Sequence, residues 1–408
     1  ACAGQMPAWG SKDKPLLWTV INYELMRRPE RLAALLRGIT ARTMLILDES
    51  SAVNSPSSKQ TKACFELAKV CERVLLLNGT PHGDNPGHLY APFKILDSKI
   101  LGCGNRYQFD AKYAILGGFR RLRNIKTESG WKRQMAPCQI VGWTNLEDLY
   151  DRTRPYILRR TLDDVFNLPP ALDPVTLEVP LSKETWGLYQ DMRDDAILNL
   201  EHNKTVTAAQ AGVLVMRLAQ ITSGFIGGIE GQEEPAAIGD EKLVSVLNWH
   251  HARLSEDPKF RAIFWCRFRL EAERIAEALS NRVPTRLLYG DQTTEERAEA
   301  IALLGPGCQD RPAALVGIAK TGGLGLDLSG ASTTMFISNE YSLMVREQAA
   351  ARVLGPNQKY PCSYHDLVAT GPSGQKTVDH AILKALRGKA DLAGWGAARW
   401  AAELKEEA

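Results

Sequence analysis

The sequence predicts an α/β protein with two lobes, each built on a parallel, doubly wound sheet. Near the N-terminus, two short apolar runs at 44–47 and 74–77 end in polar residues and enclose one helical segment. From Arg261 onward, apolar runs of strand length alternate with helical segments as far as residue 369. Strands that alternate with helices form parallel sheets. With 408 residues, of which 44% are hydrophobic, the chain can bury two cores rather than one.

Composition excludes some classes of protein. No apolar run reaches the ~18 residues that a membrane-spanning helix needs, and we find no signal-peptide pattern, so we expect no membrane partner. The eight cysteines never form a C-x-x-C pattern, which argues against a zinc site and favours a reducing compartment. A net charge of +3 is too small to indicate a nucleic-acid partner by itself.

The segment Met44–Ser51 is the most informative stretch of the chain. Its apolar strand runs directly into Asp48 and Glu49, and the carboxyl ends of parallel strands are where open α/β sheets bind ligands. Two adjacent carboxylates suit a nucleotide site, because one can hold Mg²⁺ through its water shell while the other orients or deprotonates the attacking water. The alternative is that the pair only caps the next helix.

The run 73–81 repeats this form, since its strand ends in a small polar turn that contains Gly79 and Thr80. Between the two strands, residues 57–71 are predicted to form one helix with a serine, Ser57 or Ser58, as its N-cap. Strand, helix and strand together make a βαβ unit.

These two strand ends carry a family resemblance. The sequences L-I-L-D-E-S-S (45–51) and L-L-L-N-G-T-P (75–81) resemble motifs II and III of superfamily-two helicases and translocases, in the Swi/Snf-like branch found in phages and bacteria. The resemblance implies two RecA-like lobes with ATP hydrolysed in the cleft between them. Residues 1–165 are then predicted to be a partial first lobe.

The phosphate-binding loop of such enzymes, G-x-x-x-x-G-K-[ST], does not precede the Asp-Glu strand. The segment Gly371–Thr377 comes close to this pattern, but its lysine follows a glutamine, and we do not interpret it as a phosphate loop. We expect an upstream segment or a partner to supply the loop, which would make this chain a fragment.

Residues 98–145 form a basic insertion with interleaved aromatic residues, as on a surface that follows nucleic-acid phosphates. The alternative is a solvated face over a small satellite core. The basic residues that we select as candidate DNA contacts are Arg120, Arg121, Arg123, Lys132 and Arg133.

A lobe boundary is predicted at the double proline that ends at Pro170, because proline fits neither a helix interior nor a central strand. The second lobe is predicted to span residues 171–390, with a helical insertion at 183–255 and a helical tail at 391–408.

The second lobe carries two further resemblances. The segment from Gly322 to Leu328 resembles motif V, in which Gly323 and Gly325 let backbone amides approach a phosphate and Asp327 accepts a hydrogen bond from ribose or from the arginine motif.

The segment Arg346–Gln358 resembles motif VI. Gln348, Arg352 and Gln358 match the family pattern, whereas Gly355 stands where the pattern has a second arginine. An arginine that neutralises charge on the transferring phosphoryl group contributes about 10³–10⁵ in rate. This departure leaves catalytic competence open.

Taken together, the resemblance implies an ATP-dependent translocase or helicase that acts on duplex DNA, with ATP and Mg²⁺ as cofactors, in the cytoplasm of a bacterial cell or a phage-infected host. Glu49 would activate water, Asp48 would hold Mg²⁺, Thr80 would couple lobe closure to the nucleotide and Arg352 would act from the second lobe. Two alternatives are a catalytically degenerate DNA-binding or assembly module, and an α/β enzyme that acts on another nucleotide or a phosphosugar.

Overall fold

The computed structural model describes the chain in several ranges: residues 17–40, 42–79, 86–127, 130–158, 160, 168–202, 208–227, 235–307, 310–321 and 326–388. Within them, only the backbone is described for 118–127, 130–139, 141, 195–202 and 208–211. The chain divides into two compact units, with the boundary between Leu158 and Arg159. The predicted tail at 391–408 lies outside the described residues.

The first unit begins with a βαβ arrangement. Its elements are α1 (Pro29–Gly38), β1 (Met44–Leu47), α2 (Lys59–Val70) and β2 (Arg73–Leu76). Strands β1 and β2 pair in parallel, with Leu47 opposite Leu76. The Oγ atom of Ser58 accepts a hydrogen bond from the Thr61 amide, so the helix cap falls on the second of the two predicted serines.

The sequence also predicts a strand over 18–23 and a helix from Glu24 to Leu36; the strand is wrong, and the helix covers only the later part of the predicted range. Residues 18–22 have no regular structure, and a strand without a ladder partner leaves its backbone groups unpaired. The helix begins at Pro29 instead, because proline disfavours the helical conformation for the residue before it, and Arg28 is extended.

The remainder of the first unit packs around aromatic side chains. Its elements are α3 (Tyr90–Leu96), α4 (Arg106–Tyr113), β3 (Ala114–Thr127), β4 (Gly130–Trp143) and α5 (Leu146–Thr153). Phe109 and Tyr113 are fully buried, with their ring centroids 4.8 Å apart. The two long strands form a separate antiparallel ribbon that pairs only with itself among the described strands.

The second unit contains a six-stranded sheet. Its strands and helices are β5 (Val175–Pro180), α6 (Lys183–His202), α7 (Ala208–Thr222), β6 (Phe225–Ile226), β7 (Ala236–Ala237), α8 (Glu241–Glu256), β8 (Arg261–Cys266), α9 (Arg269–Ser280), β9 (Thr285–Leu288), α10 (Thr294–Leu304), β10 (Ala313–Ile318), β11 (Thr333–Phe336), α11 (Leu343–Ala350), β12 (Ser363–Thr370) and α12 (residues 378–388).

All strands of this sheet are parallel, in the order β5-β12-β11-β8-β10-β9. The central strand β8 is buried along its whole length, because Phe264 faces one core and Trp265 faces the other. Helices cover both faces, as parallel sheets require. The predicted α/β class is therefore confirmed.

A strand is also predicted from the sequence at 157–160, ahead of the lobe boundary, but it does not form in the described part of that range, where Ile157 and Leu158 have no regular structure. No helix among the described residues is both long and apolar enough to cross a membrane.

Candidate functional site

Asp48 and Glu49 lie at the carboxyl edge of the β1–β2 sheet, and both are exposed. Glu49 has φ 46° and ψ 55°, in the left-handed region that side chains other than glycine rarely adopt. The Asp48 Oδ1 atom accepts a hydrogen bond from the Glu49 amide at 3.0 Å. The next amide, that of Ser50, donates to the carbonyl of Leu77 on the neighbouring strand at 2.9 Å. The turn is thus tied to both strands, and both acidic residues are exposed.

Tyr23 fixes this turn from a third direction. Its hydroxyl donates a hydrogen bond of 2.6 Å to the carbonyl of Asp48. Burial raises the pKa of Tyr23 well above its ordinary value, and the nearby groups Cys64, Asp48 and Glu49 raise it further. The phenol therefore remains a donor at any physiological pH. Sequence reasoning missed this role, although the resembling family has a segment like V-I-N-Y-E-L (20–25), which contains Tyr23, ahead of its Asp-Glu strand.

Gly79 follows β2 at the same sheet edge, and a Cβ atom added there would meet nothing within 4 Å. Packing therefore does not require glycine at this position. Thr80 lies outside the described residues. The structure brings Asp48, Glu49 and Gly79 to one edge.

The carboxylates at this edge suit Mg²⁺ as an ion that keeps most of its water shell. Among the described residues, no group of three or more His, Cys, Asp and Glu side chains could hold a metal ion. Mg²⁺ commonly keeps several waters and binds through one or two carboxylates and the substrate phosphates. Asp48 suits that arrangement, and Glu49 beside it suits the orientation of water.

In the second unit, Asp327 lies against the segment that carries Arg352. The amide of Leu328 donates to the Arg352 carbonyl at 3.0 Å. The Oδ1 atom of Asp327 accepts from the Ser329 amide at 3.0 Å, and its Oδ2 atom accepts from Asn357 at 3.3 Å. Burial acts to raise the pKa of Asp327, but the hydrogen bonds from Ser329 and Asn357 outweigh it and hold the pKa below its ordinary value. The residue is therefore an anion.

Gln358 holds the other end of this segment. Its buried side-chain amide donates to the carbonyls of Val353 (2.8 Å) and Ala331 (2.9 Å). Its Oε1 atom accepts from the amides of Lys359 and Tyr360, both at 3.0 Å. The glutamine that closes the predicted motif thus organises the backbone after Arg352.

The remaining predicted residues of the second unit are only partly accounted for. Gln348 is half-buried on α11, while Gly323 and Gly325 lie outside the described residues. The structure therefore brings Asp327, Arg352 and Gly355 together, and it describes Gln348 on the helix that leads to Arg352.

The turn at Gly371–Thr377 has the geometry of a tight hairpin. The amide of Gly371 donates to the Gln375 carbonyl at 2.8 Å, and the Gly374 amide donates to the Gly371 carbonyl at 2.9 Å. The Ser373 amide donates to the Gln375 side chain at 2.9 Å. These amides are already used within the turn, whereas a phosphate loop presents its amides to the ligand.

The candidate DNA contacts all lie on the antiparallel ribbon of β3 and β4. Arg120 and Arg121 pair with Pro137 and Ala136 after a register shift beyond Gly117. Arg123 lies opposite Gln134, and Arg133 and Lys132 lie opposite Asn124 and Ile125. The ribbon thus collects all five residues in its outer part, beyond the irregularity.

A family model of the SNF2-related domain matches residues 19–223 of the chain. The DNA repair and recombination protein RAD26 of Saccharomyces cerevisiae is 23% identical over 351 residues, which cover 83% of this chain and 30% of that protein. The uncharacterized ATP-dependent helicase MG018 of Mycoplasma genitalium is 20% identical over 349 residues, which cover 85% of this chain and 30% of that protein.

The chain thus spans under a third of the length of these curated relatives. A solved structure, the Sulfolobus solfataricus SWI2/SNF2 ATPase core in complex with dsDNA, aligns with 86% of this chain and 67% of its own. It is 19% identical to this chain, with a TM-score of 0.39.

Proposed function

Since the chain belongs to the SNF2-related family, we propose that it is part of an ATP-driven motor that moves along duplex DNA. Relatives named as a DNA repair protein and as an ATP-dependent helicase support this proposal. The observation that carries it is the Asp48–Glu49 turn, since a strained residue beside a second carboxylate at a sheet edge favours a functional role.

Each candidate residue then has a role in hydrolysis. Mg²⁺ would neutralise the phosphates of ATP, with Asp48 holding its water shell, and Glu49 would orient or deprotonate the attacking water. Arg352 would neutralise charge on the transferring phosphoryl group. The residues that would touch the nucleotide or couple its state to movement are Gly79, Thr80, Gly323, Gly325, Asp327 and Gln348.

The β1–β2 sheet supports the proposal that further chain completes the first unit. Leu45 and Leu47 face its core, while the opposite face carries apolar side chains that are all more than a third exposed: Met44, Ile46, Leu75 and Leu77. A parallel sheet is normally covered on both faces, and two strands alone are marginally stable. We propose that an upstream segment, or a partner chain, covers this face and supplies the phosphate-binding loop.

The ribbon of β3 and β4 is the proposed contact with duplex DNA. Ile115 and Leu116, which alternate between its faces, are 47% and 39% exposed, so neither face is fully covered at the base. Directly paired residues share a face, so the register places Arg121, Arg123 and Lys132 on one face.

The same register places Arg120 and Arg133 on the other face. The major groove of B-DNA admits a two-stranded ribbon between two walls of phosphates. Contacts of this kind would be independent of sequence.

The base of the ribbon is held firmly. Asp148 accepts hydrogen bonds from Lys112 and Tyr113, both at 2.5 Å, and from Arg152 at 3.0 Å. Burial acts to raise the pKa of Asp148, but these three donors outweigh it and hold the pKa well below its ordinary value. A rigid base would transmit motion of the unit to the ribbon.

Gly355 favours a second candidate function, a DNA-binding or assembly module that derives from such a motor and no longer hydrolyses ATP. It would bind DNA with a steep dependence on salt and would not respond to nucleotide. Localisation of the protein in the cytoplasm of a bacterial cell or a phage-infected host stays a prediction.

The test is ATP hydrolysis with and without duplex DNA, by the chain expressed together with any segment that its reading frame encodes upstream. The motor predicts DNA-stimulated turnover that falls by at least about 10²-fold in Glu49→Gln, because the water loses its activating carboxylate. DNA binding without hydrolysis in both proteins would favour the second function. Equal hydrolysis in both proteins would contradict the role of Glu49.

A further inference from the structure

Arg346 forms a two-pronged ion pair with Asp366 inside the second unit. Its Nη1 atom lies 2.5 Å from Oδ1 of Asp366, and its Nη2 atom donates to Oδ2 at 3.1 Å. The side chain of Asp366 is 1% exposed and that of Arg346 is 14% exposed. Paired donors on a carboxylate fix direction as well as distance.

Two neighbours complete this arrangement. Asn339 accepts from Nη1 of Arg346 at 2.8 Å and donates to Oδ1 of Asp366 at 3.0 Å. The guanidinium group also lies over the ring of Phe336, 3.3 Å from its centroid. Asp366 belongs to β12 and Phe336 to β11, so the arginine is locked against two adjacent strands.

The pair is located where it can orient Arg352. Arg346 lies on α11, whose N-cap is Ser342. A single 3-10 turn, Ala351–Val353, continues this helix and carries Arg352. The far end of the turn is fixed by the bond from the Leu328 amide to the Arg352 carbonyl and by Gln358. The ion pair therefore fixes the near end of a short rigid segment.

Stability alone does not account for such a pair. Burying two charges carries a large desolvation cost, and apolar residues of similar volume are often as stabilising or more so. Two parallel hydrogen bonds, in contrast, set the rotation of α11 about its axis relative to the sheet. The direction of Arg352, six residues further along the chain, depends on that rotation.

We infer that Arg346, through Asp366 and Asn339, is a positioning residue that sets the direction of Arg352. This inference rests on the proposed function, because Arg352 acts only if the chain hydrolyses ATP.

The test replaces the pair by apolar residues, Arg346→Met with Asp366→Leu. Loss of both partners leaves no unpaired buried charge, so the protein should fold. The matched control is Lys242→Met with Asp379→Leu. This equally buried pair lies 2.7 Å apart in the same unit, and its side chains are 3% and 10% exposed. Among the described hydrogen bonds and ion pairs, neither residue of the control pair reaches α11.

Two readouts are compared in both double variants. The kcat for ATP should fall at least about tenfold in the Arg346 pair variant with KM within about twofold, since misplacement of a reacting group by 1 Å can cost about 10². The control should keep the kcat of the parent protein. Arg346→Lys, which keeps the charge but not the fork, should fall between them. If the parent protein hydrolyses ATP, an equal kcat in all proteins, or an equal loss in the control, would overturn the inference.

The second readout does not need activity. Amide hydrogen exchange at 351–354 should speed up at least about tenfold in the Arg346 pair variant and not in the control. Unchanged exchange would overturn the inference even if no protein hydrolyses ATP. If the parent protein does not hydrolyse ATP, faster exchange in the Arg346 pair variant than in the parent would uphold the positioning role. The lack of hydrolysis would then count against the proposed function alone.

Discussion

A Cβ atom built on Gly355 would lie 3.6 Å from Oδ1 of Asp327, in ordinary van der Waals contact. The next two nearest atoms, both at 3.9 Å, belong to the same carboxylate group, and Gly355 does not have a positive φ. The backbone therefore does not require glycine at the position where the resembling family has an arginine.

An arginine at this position should raise activity. Gly355→Arg places a cation beside the Asp327 carboxylate and restores the family pattern, so we expect kcat for ATP to increase at least about tenfold. Gly355→Ala is the control, because it adds a Cβ atom at this position without adding a charge, and it should leave kcat unchanged. Steady-state hydrolysis with saturating DNA measures both. An unchanged kcat in the arginine variant would show that Gly355 does not limit the reaction.

Strain at Glu49 predicts a trade-off between stability and activity. Glu49→Gly removes a left-handed conformation that costs roughly 1–2 kcal/mol in a residue with a Cβ atom, so the free energy of unfolding of the first unit should rise by about 1 kcal/mol. Glu49→Gln keeps the strain and should unfold as the parent protein does. Both variants should lose hydrolysis. Urea titration should give a higher unfolding midpoint for Glu49→Gly than for Glu49→Gln. Equal midpoints would contradict strain at Glu49.

The ribbon predicts a dependence of DNA affinity on salt. Replacing Arg121 and Arg123 by alanine should reduce the slope of log K against log salt by about 0.9 for each phosphate that is no longer neutralised. Arg31→Ala with Arg37→Ala, which removes two exposed cations from α1, is the control and should leave the slope unchanged. Fluorescence anisotropy with a labelled duplex measures both. Identical slopes in the two variants would exclude the ribbon as the DNA-binding element.

His250 predicts a loss of stability in acid. It is fully buried between Phe260 and Phe264, and burial lowers its pKa from 6.5 to about 4, with Arg282 and His251 adding to the effect. Below pH 6.5 the imidazole of His250 is therefore mostly protonated in the unfolded chain, whereas in the folded chain it stays mostly neutral down to about pH 4. The free energy of unfolding should fall across this window by up to roughly 3 kcal/mol.

The control for this effect is the neighbouring exposed histidine. His250→Leu should flatten the part of the stability curve between pH 6.5 and 4, whereas His251→Gln should not. Urea titrations at several pH values provide the comparison. A parallel curve for His250→Leu would mean that other groups cause the loss.

The sequence predicted the βαβ unit and the Asp48–Glu49 edge because both depend on local patterns. An apolar run followed by two acids, a serine-capped helix and a second apolar run are each readable within a few residues. The second-unit strands were predictable for the same reason. The strand at 18–23 was predicted wrongly because its pattern is apolar but its partner strand is not determined locally, and Pro29 delays the helix.

Other features depend on contacts between distant residues. Tyr23 reaches the Asp48 carbonyl across 25 positions, and Arg346 reaches Asp366 across 20. No periodicity reveals either bond. The basic insertion was visible in the composition, but its form as an antiparallel ribbon depends on a register that spans both strands. Gln358 was recognised only as a motif residue, since its buried bonds follow from tertiary packing.

The central claim, ATP-driven movement along duplex DNA, is tested most directly by displacement of a third strand from a triplex. The parent protein with ATP should release the third strand without separating the duplex. Glu49→Gln, or the parent protein with a non-hydrolysable ATP analogue, should leave the third strand bound. DNA-stimulated hydrolysis without any release of the third strand would contradict the account.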